Sequence, residues 1–219
     1  TVAPGCFDLL SARVAEESGF EAGYVGPFGV LATSVGEAPR DDRYWLGFVE
    51  LVRRISEATS LHLIVDGHTG LEGRLSVDAV VRDLVGAGAA AIAIEDRTWY
   101  WEPGPALLDP PVMAAKIASA RAAAGSSAVI IARTDAARWT GLADAVARCR
   151  AYLAAGADLV MPLMTPYMAY SNSRIDHEEK LRVHRQLVDE VAGALVTHSP
   201  FGLDLTRDEA ADLGYRVYV

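Results

Sequence analysis

HLIVDGHTG (62–70), AIAIEDR (91–97) and VIIARTDA (129–136) have one shape in common: an apolar, β-rich run that breaks into charge. A parallel strand covered on both faces reads as a near-continuous apolar run. Charge at the carboxyl end of such a strand marks the rim where α/β sheets and barrels gather their chemistry. Three endings of this kind direct Asp66, His68, Glu95, Arg133 and Asp135 toward one polar pocket. Carboxylates suit a metal ion, and a guanidinium fork suits an anion.

Outward from these stretches, strand and helix patterns alternate along the whole chain. Strands are expected at 2–5, 21–29, 62–67, 90–96, 128–134, 158–163, 194–199 and 215–219. Helices are expected at 7–19, 43–59, 76–88, 110–125, 142–156, 177–193 and 206–214, where apolar residues recur at helical spacing. A small repeat supports the alternation. Helices run into strands through glycines in GFEAGYV (19–25), GAGAAAIAI (86–94), AGADLVM (155–161) and LGYRVYV (213–219). A glycine there can take the left-handed conformation that turns a helix back toward the sheet.

Strict β–α alternation implies a parallel sheet, and eight strands favour a closed TIM-type (β/α)8 barrel over a doubly wound sheet. The pattern shows no linker, so residues 1–219 read as one domain. It ends at the eighth strand without an eighth helix, as a fragment would, or a chain whose tail lies outside these residues.

Composition excludes several classes. The 219 residues carry a formal net charge of −9, with a pI of about 5.0 and no basic run. No nucleic-acid partner is expected. Charged residues or glycines interrupt every apolar stretch before it reaches membrane-spanning length, so no membrane partner is expected either. Two distant cysteines, Cys6 and Cys149, form no disulfide or zinc pattern, which makes a reducing cytoplasm the default location. No signal peptide is visible. The chain begins at Thr1 rather than Met, so its natural start is expected upstream.

PGCFDLLSARVAEESGFEAGYV, VDGHTG, GAGAAAIAIED, IIARTDA, RAYLAAGADLVMP and the closing PFG…LGYRV together resemble the phosphoenolpyruvate mutase/isocitrate lyase superfamily. The similarity runs through essentially the whole chain. It implies a barrel in which magnesium, or manganese, grips a small 2-oxo or 2-hydroxy carboxylic acid. Members cleave or form C–C or P–C bonds through a metal-stabilised enolate, as lyases or as isomerases (phosphonomutases). They commonly form homodimers or homotetramers that exchange the eighth helix.

Matched residue by residue, the resemblance implies that Asp66 touches the metal and Glu95 holds metal-bound water. Family members commonly read D-A-D-T-G where this chain has Asp66-Gly67-His68-Thr69-Gly70. His68 therefore stands in place of a second Asp. An imidazole there weakens magnesium binding, changes the preferred ion, or turns the position into an acid/base group. Asp41, within the insertion GEAPRDD, lies near a further water-holding Asp of the family, as does Asp42. Arg133 would bind the substrate's acidic group, or else pair with Asp135 or Glu95. Asp8 would lie beside the pocket, or else cap the helix that follows it. Tyr24, Gly26, Pro27 and Phe28 occupy the substrate-facing turn after the second strand, where Pro27 offers no N–H. His198, at a strand end, is a candidate proton shuttle. His177 and His184 read as helix-surface residues.

Other departures narrow the chemistry. Lyase members carry K-[KR]-C-G-H after the fourth strand. EDRTWYWEPGPALLD (95–109) holds no Cys, Lys or His, and Trp99, Tyr100 and Trp101 replace the mutase gating loop. Three readings stay open: a lyase- or mutase-type enzyme, an aldol-type condensing enzyme of a specialised biosynthetic pathway, and a catalytically lost barrel serving as a binding or assembly subunit.

Overall fold

The computed structural model describes residues 1–36, 44–70, 75–98, 107–164, 176–191, 194–197 and 205–219, except for the Arg138 side chain. Five parallel strands form one sheet in sequence order: β1 (Ala22–Val25), β2 (His62–Asp66), β3 (Ala89–Glu95), β4 (Val129–Thr134) and β5 (Leu159–Pro162). Two more, β6 (Val196–Thr197) and β7 (Val217–Tyr218), pair in parallel with each other.

Three sets of backbone bonds close these pieces into a ring. Val160 N donates to Ala194 O at 2.9 Å, which joins β5 to the start of β6. The extended segment 2–5 lies between β7 and β1. Ala3 N donates to Tyr218 O on one side and Tyr24 N to Pro4 O on the other, both at 2.9 Å. Segment 2–5 is thus the eighth stave of the expected barrel. Among the described residues each stave thus has a neighbour on both sides.

Side-chain alternation along the strands builds two cores. Ala3, Tyr24, Ile64, Ala91, Ala93, Ile131, Met161 and Val196 fill the inside of the ring. Leu63, Val65, Ile92, Ile94, Ile130, Ala132 and Val160 face outward onto the helices. Because the period is two, Asp66, Glu95 and Arg133 inherit the inward direction from Ile64, Ala93 and Ile131.

The outer layer comprises α1 (Leu9–Glu17), α2 (Pro27–Ser34), α3 (Trp45–Ala58), α4 (Val77–Gly86), α5 (Pro110–Ala124), α6 (Ala136–Trp139), α7 (Leu142–Ala154), α8 (His177–Val191) and α9 (Arg207–Leu213). The predicted return glycines Gly19, Gly88, Gly156 and Gly214 all have positive φ, between 85° and 105°. At Gly88 a Cβ would lie 2.0 Å from Ser56 Oγ, so the α4–β3 turn has no room for a side chain.

Two elements differ from the sequence reading. The strand expected over 21–29 ends at Val25, because Pro27 starts helix α2 at a first-turn position where its missing N–H costs nothing. The short helix α6 follows β4 directly and was not expected. His184 also departs from its surface reading: it is fully buried, its Nδ1 2.7 Å from Tyr215 Oη, in the stripe with Val183, Leu187 and Val191. Among the described residues no helix is long and apolar enough to cross a membrane.

Candidate active site

The carboxyl ends of β2, β3 and β4 bring the predicted polar residues together. Asp66 and Glu95 are the last residues of their strands, and Arg133 is the next-to-last of β4, in register with Glu95. The Arg133 guanidinium is the centre of the group. Its Nη2 lies 3.0 Å from Glu95 Oε2 and its Nη1 3.5 Å from Asp66 Oδ2. Its Nε donates to Asp135 Oδ1 at 3.1 Å and Nη2 to Asp135 Oδ2 at 3.4 Å. Of the two readings weighed for Arg133, this geometry shows the ion pair, with Glu95, Asp66 and Asp135 all engaged.

The loop after β2 stays bonded to β3. Gly67 N donates to Ala93 O at 2.8 Å and Glu95 N to His68 O at 2.9 Å. A Cβ on Gly67 would come within 2.7 Å of Ile94 Cδ1 and 3.1 Å of Ala93 O, so a side chain here would need Ile94 to shift. His68 itself has φ +57°, a left-handed conformation uncommon for a side-chain-bearing residue. The turn sets its Nδ1 3.7 Å from Glu95 Oε1, and its N–H donates to Asp66 Oδ1 at 2.8 Å. Tyr24, inside the ring on β1, donates its hydroxyl to Asp66 Oδ2 at 3.0 Å. Asp66 is thereby held at both oxygens.

Burial sets the charge state of the group. Glu95 is fully enclosed, and desolvation pushes its carboxyl up to about 8; Arg133 opposes the shift, while Asp135 and Asp66 add to it. Oε2 of Glu95 is ion-paired with Arg133, yet among the described residues no donor meets either Glu95 carboxylate oxygen, or the buried Thr69 hydroxyl, in hydrogen-bonding geometry. Desolvation likewise lowers the His68 imidazole to about 4, with Arg133 and Arg97 adding to the drop against Asp66 and Asp135. His68 is therefore neutral at pH 7.

The remaining expectations sort as follows. Asp8 caps α1: its carboxylate accepts from Ser11 N at 2.7 Å in a reciprocal capping box, which holds it below the usual carboxylate range. Gly26 is the N-cap of α2, where an added Cβ would meet the Tyr24 ring at 3.3 Å, Pro27 is buried, and Phe28 is 56% exposed. Asp41, His198 and the Trp99–Tyr100–Trp101 cluster lie outside the described residues. Cys6 is buried, as expected of a structural thiol, and burial pushes it up to about 11.

Sequence reasoning missed Asp96 and Lys116. Asp96 is fully buried behind Glu95. Lys116, on α5, is buried too, and its Nζ donates to Glu95 O at 3.5 Å. The signal for Lys116 was present: it falls in the stripe Met113, Ile117, Ala120, where an apolar residue belongs.

A sequence model of the family described as phosphoenolpyruvate phosphomutase matches residues 1–217. The oxaloacetate decarboxylase of Paraburkholderia xenovorans is 41% identical over 163 residues, 70% of this chain and 53% of that protein. A solved structure of 2,3-dimethylmalate lyase, a PEP mutase/isocitrate lyase superfamily member, matches with TM-score 0.81 and 30% identity, over 99% of this chain and 74% of the other. Phosphonopyruvate hydrolase in complex with oxalate and magnesium matches with TM-score 0.81 and 28% identity, over the same 99% and 74%. The chain spans about half the length of the curated relatives it matches.

Proposed function

This chain belongs to the phosphoenolpyruvate mutase/isocitrate lyase superfamily, and from that premise we propose that it is a divalent-metal-dependent enzyme acting on a small 2-oxo or 2-hydroxy carboxylic acid. The reaction is cleavage or formation of a C–C or P–C bond next to a carboxylate-bearing carbon.

The observation that carries this reading is the Glu95 carboxylate, enclosed at the strand ends beside Arg133, with no donor among the described residues in hydrogen-bonding geometry to either oxygen. Asp66, Glu95 and Asp135 all gather around the one Arg133 guanidinium. Adding an acidic substrate to that pocket calls for further positive charge. Among the described residues no three His, Cys, Asp or Glu side chains converge to ligate one ion directly. A hydrated ion fits that donor set, since magnesium keeps several of its waters. Asp66, Glu95 and His68 are the residues that would hold it, with Asp41 as the further acid implied by the resemblance. Magnesium or manganese bound there would supply Lewis-acid stabilisation of charge developing on the substrate oxygen.

The chain's own groups do the rest. Arg133 takes the substrate's carboxylate or phosphonate with a fixed fork of donors. Tyr24 and the His68 N–H fix both oxygens of Asp66. His68, neutral at pH 7, is a nitrogen donor beside Glu95, and His68 and His198 are the two candidates for proton transfer. A catalytically lost barrel has no reason to keep Asp66, Glu95 and Arg133 together in one buried cluster. The test is ion-dependent consumption of oxaloacetate. Turnover with magnesium or manganese should stop in excess chelator and in a folded Asp66→Ala variant, whereas full activity in chelator overturns the reading.

The proposal extends to assembly and location. Phe7, Leu10, Val14 and Phe20 are exposed around a groove of about 380 Å³ along α1. Apolar surface of this kind favours a partner, at roughly 25 cal/mol per Å² buried. A helix of a second subunit, in a homodimer or homotetramer, is the proposed cover. A cytoplasmic location would keep the buried thiols Cys6 and Cys149 reduced.

A further inference from the structure

Asp96 directly follows Glu95, yet it serves the other side of the strand ring. Glu95 faces Arg133 inside, and Asp96 faces α7 outside. Asp96 is fully buried, and its carboxylate collects four donors. Oδ2 accepts from the Thr134 hydroxyl at 2.7 Å, the Tyr152 hydroxyl at 2.9 Å and Arg148 Nη1 at 3.2 Å, while Oδ1 accepts from Asp135 N at 3.2 Å. Its own N–H donates to Arg133 O at 3.1 Å. One residue thereby grips three consecutive residues at the end of β4: the carbonyl of Arg133, the hydroxyl of Thr134 and the N–H of Asp135.

We propose that Asp96 is the positioning residue that sets the aim of Arg133, acting through Asp135 and held in turn by Arg148 and Tyr152 of α7. The proposal rests on the reading of Arg133 as the substrate's anion-binding group. An arginine side chain has many rotamers, and useful anion binding requires one of them. Asp135 selects it by clamping Nε at 3.1 Å and Nη2 at 3.4 Å. Asp135 can clamp only while its own backbone is fixed, and the bond from its N–H to Asp96 fixes it. The far end of the chain is equally tied down. Arg148 donates from Nε to Asp144 Oδ2 at 2.9 Å and from Nη1 to Leu108 O at 2.7 Å and Tyr152 Oη at 3.2 Å. A plain structural role would need only the pairing of Asp96 with Arg148; the contacts to residues 133–135 are what aim the site.

The Arg133 Nε–H signal in NMR spectra reports the clamp without any ligand. In Asp96→Asn it should shift and exchange with solvent at least tenfold faster. Oxalate titrated in the presence of manganese should bind about ten to a hundred times more weakly, the range typical of lost outer support to a site. In an Arg133→Lys background Asp96→Asn should weaken oxalate no further, because residues acting in series are not additive. A residue that merely stabilises the fold would leave the Nε–H signal in place. Tyr152→Phe removes one donor and keeps the ring, so it carries the test should Asp96→Asn fail to fold; a smaller shift of the same signal is expected. An unmoved Arg133 signal in either folded variant overturns the proposal. Absence of oxalate binding by the unmutated protein would instead count against the proposed function, and the NMR result would still decide the role of Asp96.

Discussion

Glu95 and Arg133 stand opposite each other in the β3–β4 register, 3.0 Å apart between Oε2 and Nη2, inside a pocket from which water is largely excluded. Arg133 divides its charge among Glu95, Asp66 and Asp135. Glu95 is therefore incompletely compensated, and that shortage underlies both the titration of the site and its proposed affinity for a cation.

Stability without divalent ions should fall as pH rises from 6.5 to 8. Burial raises the Glu95 carboxyl to about 8, so above 4.5 the folded protein keeps a proton that the unfolded chain has lost, and stability declines with pH. Burial lowers His68 to about 4, so between 4 and 6.5 the unfolded chain holds the extra proton and stability increases with pH. The two slopes oppose each other from 4.5 to 6.5. Above 6.5 Glu95 alone of the two contributes, at about 1.4 kcal/mol per pH unit for one proton. Urea melts in chelator should show the decline, and Glu95→Gln should flatten it. A flat profile in the unmutated protein contradicts the assigned burial effect.

Tyr24→Phe should weaken manganese binding by about tenfold while leaving the barrel folded, because outer partners of a ligating carboxylate carry that much affinity. The hydroxyl lost is the donor to Asp66 Oδ2. Calorimetry with manganese reads the effect, and equal affinity in the two proteins would mean that Asp66 needs no such support.

Much of this site was legible in the sequence because strand parity is a strict rule. Once HLIVD, AIAIE and VIIAR are read as strands, Asp66, Glu95 and Arg133 must face the same interior. The caps at Gly19, Gly88, Gly156 and Gly214 were readable for a similar reason, since few residues tolerate positive φ. Asp96 was not legible. Parity turns it outward from Glu95, but its partners Arg148 and Tyr152 lie on a helix more than fifty residues away, and nothing local in EDR shows that they meet it. The start of α2 was misread because the apolar run continues through Gly26-Pro27-Phe28, although proline at a first helical turn was the competing signal.

His68→Asp should tighten magnesium binding and reduce any preference for manganese, since magnesium favours oxygen over imidazole nitrogen. Binding of each ion, followed by calorimetry, checks this. Unchanged magnesium affinity with lost turnover would move His68 from ion binding to proton transfer.

The face formed by Phe7, Leu10, Val14 and Phe20 should be covered in solution. Light scattering at micromolar concentration is expected to give a dimer or tetramer mass, and Leu10→Glu with Val14→Glu should lower it. A monomer mass for the unmutated protein contradicts the proposed assembly.

The most direct test of the central claim, that Asp66, Glu95 and Arg133 form one ion-assisted site for a small carboxylic acid, is an oxalate titration followed by calorimetry with manganese and again in excess chelator. Binding is predicted with the ion present, with loss in chelator and in Asp66→Ala, and with weaker but measurable affinity in Arg133→Lys. Oxalate binding of equal strength in chelator, or equal strength in the Asp66→Ala and Arg133→Lys variants, would contradict it.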